Sequence, residues 1–153
     1  MTENIYFDTD CISSFLWVNR EDVLIKLYSG RMVIPKPVFD ELSNPTIPHI
    51  KQKIDNLIKK GHADLVSIYI DSEAYTLYQK LTTFPDAGFS AIGKGETAAI
   101  VLAKINNGIL ASNNLKDISP YVQIYNLIPI STGDILIEAF NQGFISENEG
   151  NSI

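Results

Sequence analysis

The chain has 153 residues, one domain's worth, enough to bury roughly 70% of its unfolded surface. It is 45% hydrophobic and 20% charged, with 12 basic against 18 acidic residues and a net charge of −6. That acidity argues against binding nucleic acid through bulk charge, which needs a basic surface, unless lysines are concentrated locally or cations are recruited. The single Cys11 excludes an internal disulfide framework, and two isolated histidines, His49 and His62, cannot supply a structural zinc set. No basic leader with an apolar core opens the sequence and no apolar run approaches ~18 residues, so the expectation is a cytoplasmic protein with no membrane span.

Ile5-Tyr6-Phe7 reads as a first strand ending at Asp8, with Asp10 as the N-cap of a helix through Ile12, Phe15 and Leu16. Glu21–Tyr28 continues in helical period and stops at Gly30. Met32-Val33-Ile34 is a second strand, after which Pro35 and Pro37 open a helix carrying Val38, Phe39 and Leu42. Ile50–Lys60 has a stripe of Ile50, Ile54, Leu57 and Ile58 opposite Lys51, Lys53, Lys59 and Lys60, a solvated face or a substrate-facing one. Leu65–Ile70 is expected as a third strand, and Asp71 or Ser72 as the cap of a helix through Leu81. Residues 83–93 read as a turn-rich loop, and Glu96–Asn106 as a helix ended by Gly108. Ile109-Leu110-Ala111 is a fourth strand and Val122–Tyr125 a fifth. Ser131 with Asp134 three residues on resembles a capping box for the last helix, through Phe140. Residues 1–145 form the domain, and the polar tail 146–153 is expected to fray. Strands alternating with helices predict a parallel sheet covered on both faces, with right-handed crossovers.

In such sheets chemistry sits beyond the carboxyl ends of the strands. Asp8 ends the first strand there, and Asp117 follows the fourth. Glu96 begins the helix feeding the fourth strand, and Glu41 lies one turn along the helix after the second. If the first and fourth strands are neighbours, the four acids converge. Each also has a plainer role: Asp8 closing a turn, Asp10 a cap, Glu41 solvated, Glu96 favoured by the helix dipole, Asp117 a turn residue.

These segments resemble the PIN-domain family. Ile5-Tyr6-Phe7-Asp8-Thr9-Asp10 is similar to its opening strand and first acid, and Val38-Phe39-Asp40-Glu41-Leu42 to its second motif. Gly95-Glu96-Thr97-Ala98-Ala99 is similar to the third, and Ala111-Ser112-Asn113-Asn114-Leu115-Lys116-Asp117-Ile118 to the fourth in its toxin branch. The four occur in family order, over about residues 3–145. Asn113 stands where many members carry Asp, which leaves the fourth charge to Asp117, and Glu96 stands where the toxin branch usually has Asp. The resemblance implies a three-layer α/β/α fold with a central, mostly parallel five-stranded sheet. It also implies a Mg²⁺- or Mn²⁺-dependent ribonuclease acting on RNA, often the toxin of a toxin–antitoxin pair and often a homodimer. Hard divalent cations prefer oxygen donors. Asp8, Glu96 and Asp117 are then the expected ligands, and Glu41 would hold a second metal or a metal-bound water. Thr9, Asp10, Ser112 and Asn114 would orient these acids. Trp17, Phe15 and Tyr28 are expected to furnish a partner surface.

Three other readings compete. A noncatalytic PIN-like module would bind RNA or a protein. A haloacid-dehalogenase-like phosphatase would use Asp8 as nucleophile and Asp10 as acid, with Gly133-Asp134 and Glu138 as its metal motif. A dinucleotide site at Gly93-Lys94-Gly95-Glu96 requires a strand immediately before it, which residues 84–92 do not resemble.

Overall fold

The computed structural model describes residues 3–83 and 92–153. Five short strands, β1 (Ile5–Phe7), β2 (Met32–Pro35), β3 (Ala63–Val66), β4 (Ile109–Ala111) and β5 (Ile128–Ile130), pair in the order β3-β2-β1-β4-β5. Every pairing is parallel, and the first and fourth strands are neighbours, as the acid placement requires. Between the strands run α1 (Thr9–Leu16), α2 (Glu21–Tyr28), α3 (Lys36–Leu42), α4 (Pro48–Lys59), α5 (Glu73–Thr83), α6 (Lys94–Asn106) and α7 (Leu115–Tyr125). The chain closes with α8 (Thr132–Asn141) and α9 (Glu147–Asn151).

Strand alternation divides the core. Ile5, Phe7, Met32, Ile34 and Ala111 face a cluster with Phe15, Leu24, Ile54 and Ile135 from α1, α2, α4 and α8. Tyr6, Val33 and Leu110 point the other way, onto Ile100, Val101, Ile118 and Tyr121 of α6 and α7 and Leu81 of α5. This is the expected three-layer α/β/α arrangement. Helix α6 is buried almost all round, from Thr97 to Ala103, which is why its apolar residues show no stripe. It leaves the helical region at Asn107, which is left-handed at φ 53°, rather than at Gly108. Gly108 instead allows a close approach: a Cβ there would lie 2.3 Å from the Tyr6 ring.

Three expected elements differ. The third strand spans Ala63–Val66, not Leu65–Ile70, because its register runs from Met32↔Ala63 to Pro35↔Val66 and β2 ends there. Beyond that point Tyr69 and Ile70 are exposed. Val122–Tyr125 is not a strand but the end of α7, whose Ile118 and Tyr121 are buried despite Pro120 inside the helix. The fifth strand is Ile128–Ile130, with Pro129 at the sheet edge, where proline is tolerated. The end of the chain from Ser146 forms α9, with a capping box between Ser146 and Glu149 and an ion pair from Arg20 to Glu149 of 2.9 Å.

Candidate active site

Asp8 follows β1, and its amide still bonds the Ala111 carbonyl of β4 at 2.9 Å. It, and not Asp10, is the N-cap of α1: Oδ1 accepts from the Cys11 amide at 2.8 Å. The sequence offers two acids two residues apart, and the extended backbone of Asp8, continuing the strand, decides between them. The side chain is fully buried, and Oδ2 has no hydrogen-bond partner among the described residues. Burial pushes its carboxyl up to about 6. The neighbouring Ser112 hydroxyl and the Cys11 amide oppose this, while the charges of Glu96 and Asp10 add to it.

Glu96 lies in the first turn of α6, which starts two residues earlier than the sequence suggests, at Lys94. Burial raises its carboxyl; Asn114 opposes, and the charges of Asp10, Asp117 and Glu41 raise it further. Asn114 bridges two of these acids, donating through Nδ2 to Glu96 Oε1 at 3.1 Å and to Asp117 Oδ2 at 2.9 Å. Its own backbone amide donates to the Ser112 hydroxyl at 3.2 Å.

Glu41, on α3, is clamped from two sides. The Thr9 hydroxyl donates to Oε2, and the Gly95 amide, in the first turn of α6, donates to Oε1 at 3.1 Å. A Cβ on Gly95 would stand 2.5 Å from Thr9 Oγ1 and 3.0 Å from Glu41 Oε2, so only glycine permits this contact. The sequence places Gly95 at the head of the third motif without a role of its own, although a glycine in the first turn of a helix is a detectable anomaly, since it costs about 1 kcal/mol against alanine in a helix interior. Thr9, Asp10, Glu41, Gly93, Gly95 and Glu96 line a small cleft of about 70 Å³. Asp8 and Asp117 are not among the residues lining it: Asp8 lies within reach of the charges of Glu96 and Asp10, and Asp117 joins Glu96 through Asn114.

Asn113 does not join the acids. It donates to Ser14 Oγ at 3.3 Å and accepts from the Thr132 amide at 2.8 Å, tying α1 to the start of α8. Lys36, Lys94 and Lys116 stand in the first turns of α3, α6 and α7, all at this edge of the sheet. Two lysines of the α4 stripe are engaged elsewhere: Lys51 pairs with Asp55, and Lys53 donates to the Leu16 carbonyl and Asn19. The phosphatase motif is dispersed, since Asp134 caps α8 in the expected box with Ser131 and Glu138 accepts from the Tyr28 hydroxyl at 2.7 Å. Phe15 and Tyr28 are buried in the core and cannot furnish a partner surface, whereas Trp17 is half-exposed against His49. The segment relevant to the dinucleotide reading, 84–91, lies outside the described residues.

Among the described residues no three His, Cys, Asp or Glu side chains are already gathered to hold a metal ion. The donor chemistry fits a hard divalent cation even so. Mg²⁺ commonly takes one or two carboxylates and completes its shell with water, and the unpartnered Oδ2 of Asp8 is a buried oxygen with nothing to satisfy it. Among the described residues no helix is long and apolar enough to cross a membrane.

No family model and no curated protein sequence matches the chain. Among solved structures it is similar to a chain in the crystal structure of VapBC2 from Rickettsia felis bound to a DNA fragment from their promoter. The identity is 20%, the match covers 83% of this chain and 98% of that chain, and the TM-score is 0.54. What the two share is the fold, and that fold is PIN-like.

Proposed function

We propose that the chain is a divalent-metal-dependent endoribonuclease. The observation that carries this reading is the buried, unpartnered Asp8 oxygen in a group of acids with no cationic side chain paired to any of them among the described residues. Asp8, Glu96 and Asp117 would hold Mg²⁺ or Mn²⁺, which supplies an activated water and neutralises charge on the phosphoryl oxygens. The remaining work belongs to the chain. Asn114 fixes Glu96 and Asp117 relative to each other. Thr9 and Gly95 hold Glu41 on the far wall of the cleft, and the buried seat of Asp8 keeps bulk water from its carboxyl. Lys94 and Lys116 offer the phosphate backbone positive charge on a molecule of net charge −6, which answers the objection from overall acidity.

Incubation of single-stranded RNA with the protein, with Mn²⁺ or Mg²⁺ and then with excess EDTA, tests the reading. Cleavage that stops with chelator and returns with metal is expected. Full activity in chelator would sink the mechanism, and RNA binding without cleavage under every metal would favour a noncatalytic module. The likeness to VapBC2 further supports a toxin role with an antitoxin partner. A small protein encoded beside this one that co-purifies with it and suppresses cleavage is the expected result. A homodimer is the associated proposal, checked by light scattering.

A further inference from the structure

Beside the acid cleft lies a second, differently built hollow. It measures about 280 Å³, near the lower bound for small-molecule sites, and is lined by Lys36, Pro37, Ser67, Ile68, Tyr75 and Tyr78. It opens at the carboxyl edge of β2 and β3, between the first turn of α3 and one face of α5. Two phenol rings, a proline and an isoleucine give it apolar walls, while Lys36 brings a cation to its lip. It adjoins the cleft: Lys36 pairs with Asp40, the residue before Glu41, and Tyr78 is near enough for the charges of Glu41 and Asp40 to bear on its hydroxyl.

We infer that this hollow receives an unpaired nucleobase of the RNA strand whose backbone crosses the acid cleft. The inference rests on the nuclease reading for its substrate. A base has two apolar faces and stacks on aromatic rings whatever its sequence, and alanine substitution of such rings costs about 1–3 kcal/mol per base. Tyr75 and Tyr78, one helical turn apart on α5, present rings to the same hollow. Lys36 stands where the sugar–phosphate backbone must leave the base and turn toward Glu41. A duplex cannot enter, because its bases are stacked on one another and their faces are closed. The hollow therefore selects single-stranded RNA and positions one nucleotide beside the scissile phosphate, without reading base edges.

The test is fluorescence anisotropy with a short, unstructured, labelled RNA in excess EDTA at low salt, alongside the same RNA annealed to its complement. Wild type should bind the single strand and not the duplex. Tyr75→Leu should weaken binding about fivefold or more, and Tyr75→Phe and Tyr78→Phe should retain it, since the ring and not the hydroxyl does the stacking. Ser67→Leu fills the hollow from its exposed wall without removing core packing, and should weaken binding as much; thermal melting verifies that each variant is folded. Undiminished binding by folded Tyr75→Leu and Ser67→Leu, equal binding of the duplex, or no binding by wild type overturns the subsite. Metal-dependent cleavage with unaffected leucine variants removes the subsite and leaves the nuclease. The expected binding pattern without any cleavage removes the nuclease and leaves the subsite.

Discussion

Asp22 lies on the outer helical surface next to Arg20 and Lys26, and Asp55 next to Lys51. Asp8 and Glu96, at the carboxyl edge of the sheet, have only neutral donors: the Cys11 backbone amide for Asp8 and the side-chain amide of Asn114 for Glu96. The two settings push proton affinity in opposite directions. Burial works against ionised Asp22, yet the hydrogen bond and charge of Arg20 bring its carboxyl below the ordinary value. Burial acts the same way on Asp8 and nothing cationic answers it, so the value rises. Neutral donors can aim a carboxylate without neutralising it, so Asp8 and Glu96 keep unpaired charge where Asp22 and Asp55 share theirs with a cation.

The largest way to break this comparison is to remove the unanswered charges. Asp8→Asn and Glu96→Gln should each lower metal-dependent cleavage on the order of 10³-fold or more, and the double variant should be little worse than either, because the acids act as a unit. Additive losses in steady-state assays would show that they do not. Gly95→Ala should come next. Its methyl group would displace Thr9 and Glu41, lowering turnover roughly 10- to 100-fold, as loss of an orienting contact does. Melting should move little, since alanine favours the helix.

Stability gives a smaller effect of opposite sign. A rise in the Asp8 value from 3.8 to about 6 corresponds to about 3 kcal/mol. The folded state binds the proton more tightly than the unfolded state does. The metal-free protein is therefore spared the penalty below the unfolded value, loses stability as pH climbs through the folded one, and carries the full cost above both. Asp8→Asn keeps an N-cap and removes the charge, so at neutral pH it should melt higher without metal, by several degrees. Mn²⁺ at 100 times its dissociation constant should stabilise the wild type by about 2.7 kcal/mol and the variant hardly at all. A variant that melts lower in a scan at neutral pH would remove the buried-charge argument. The smallest effect belongs to the paired surface charges: Lys51→Ala, which opens the ion pair to Asp55, should change stability by no more than about 0.5 kcal/mol and leave cleavage untouched. A larger change, read by denaturant melts, would mean the surface pairs matter more than the contrast allows.

Much of this was legible before the structure. Ile5–Phe7 with its terminal Asp8, the helix Glu21–Tyr28 and the Ser131–Asp134 box are local signals, and the structure has each of them. That the sheet is parallel followed from alternation of strands and helices, whereas the order of its strands did not. What escaped was set by contacts distant in sequence. Val122-Gln123-Ile124-Tyr125 has the composition of a strand after a proline, but burial of Ile118 and Tyr121 holds the helix through Pro120. Residues 67–70 are as apolar as Ala63–Val66, and only the short reach of β2 selects between them. At the site, the positions of Asp8, Glu41, Glu96 and Asp117 came from the sequence, yet the groups that aim them did not all follow. Glu41's hold on the Gly95 amide spans 54 residues, and no spacing rule reports it.

Pro129 has a consequence for how this molecule can meet others. Ser112 donates its amide to the Ile130 carbonyl at 2.9 Å, so Ile128 and Ile130 direct their backbone groups inward to β4 and the intervening Pro129 directs its own outward. The only outward-facing nitrogen of that three-residue edge therefore carries no hydrogen. An incoming sixth strand would find an acceptor and no donor. At the opposite edge, exposed Asp64 places a charge in the path of any added strand. Growth by strand addition is opposed at both edges, which favours helix faces and loops as the surfaces through which a binding partner approaches.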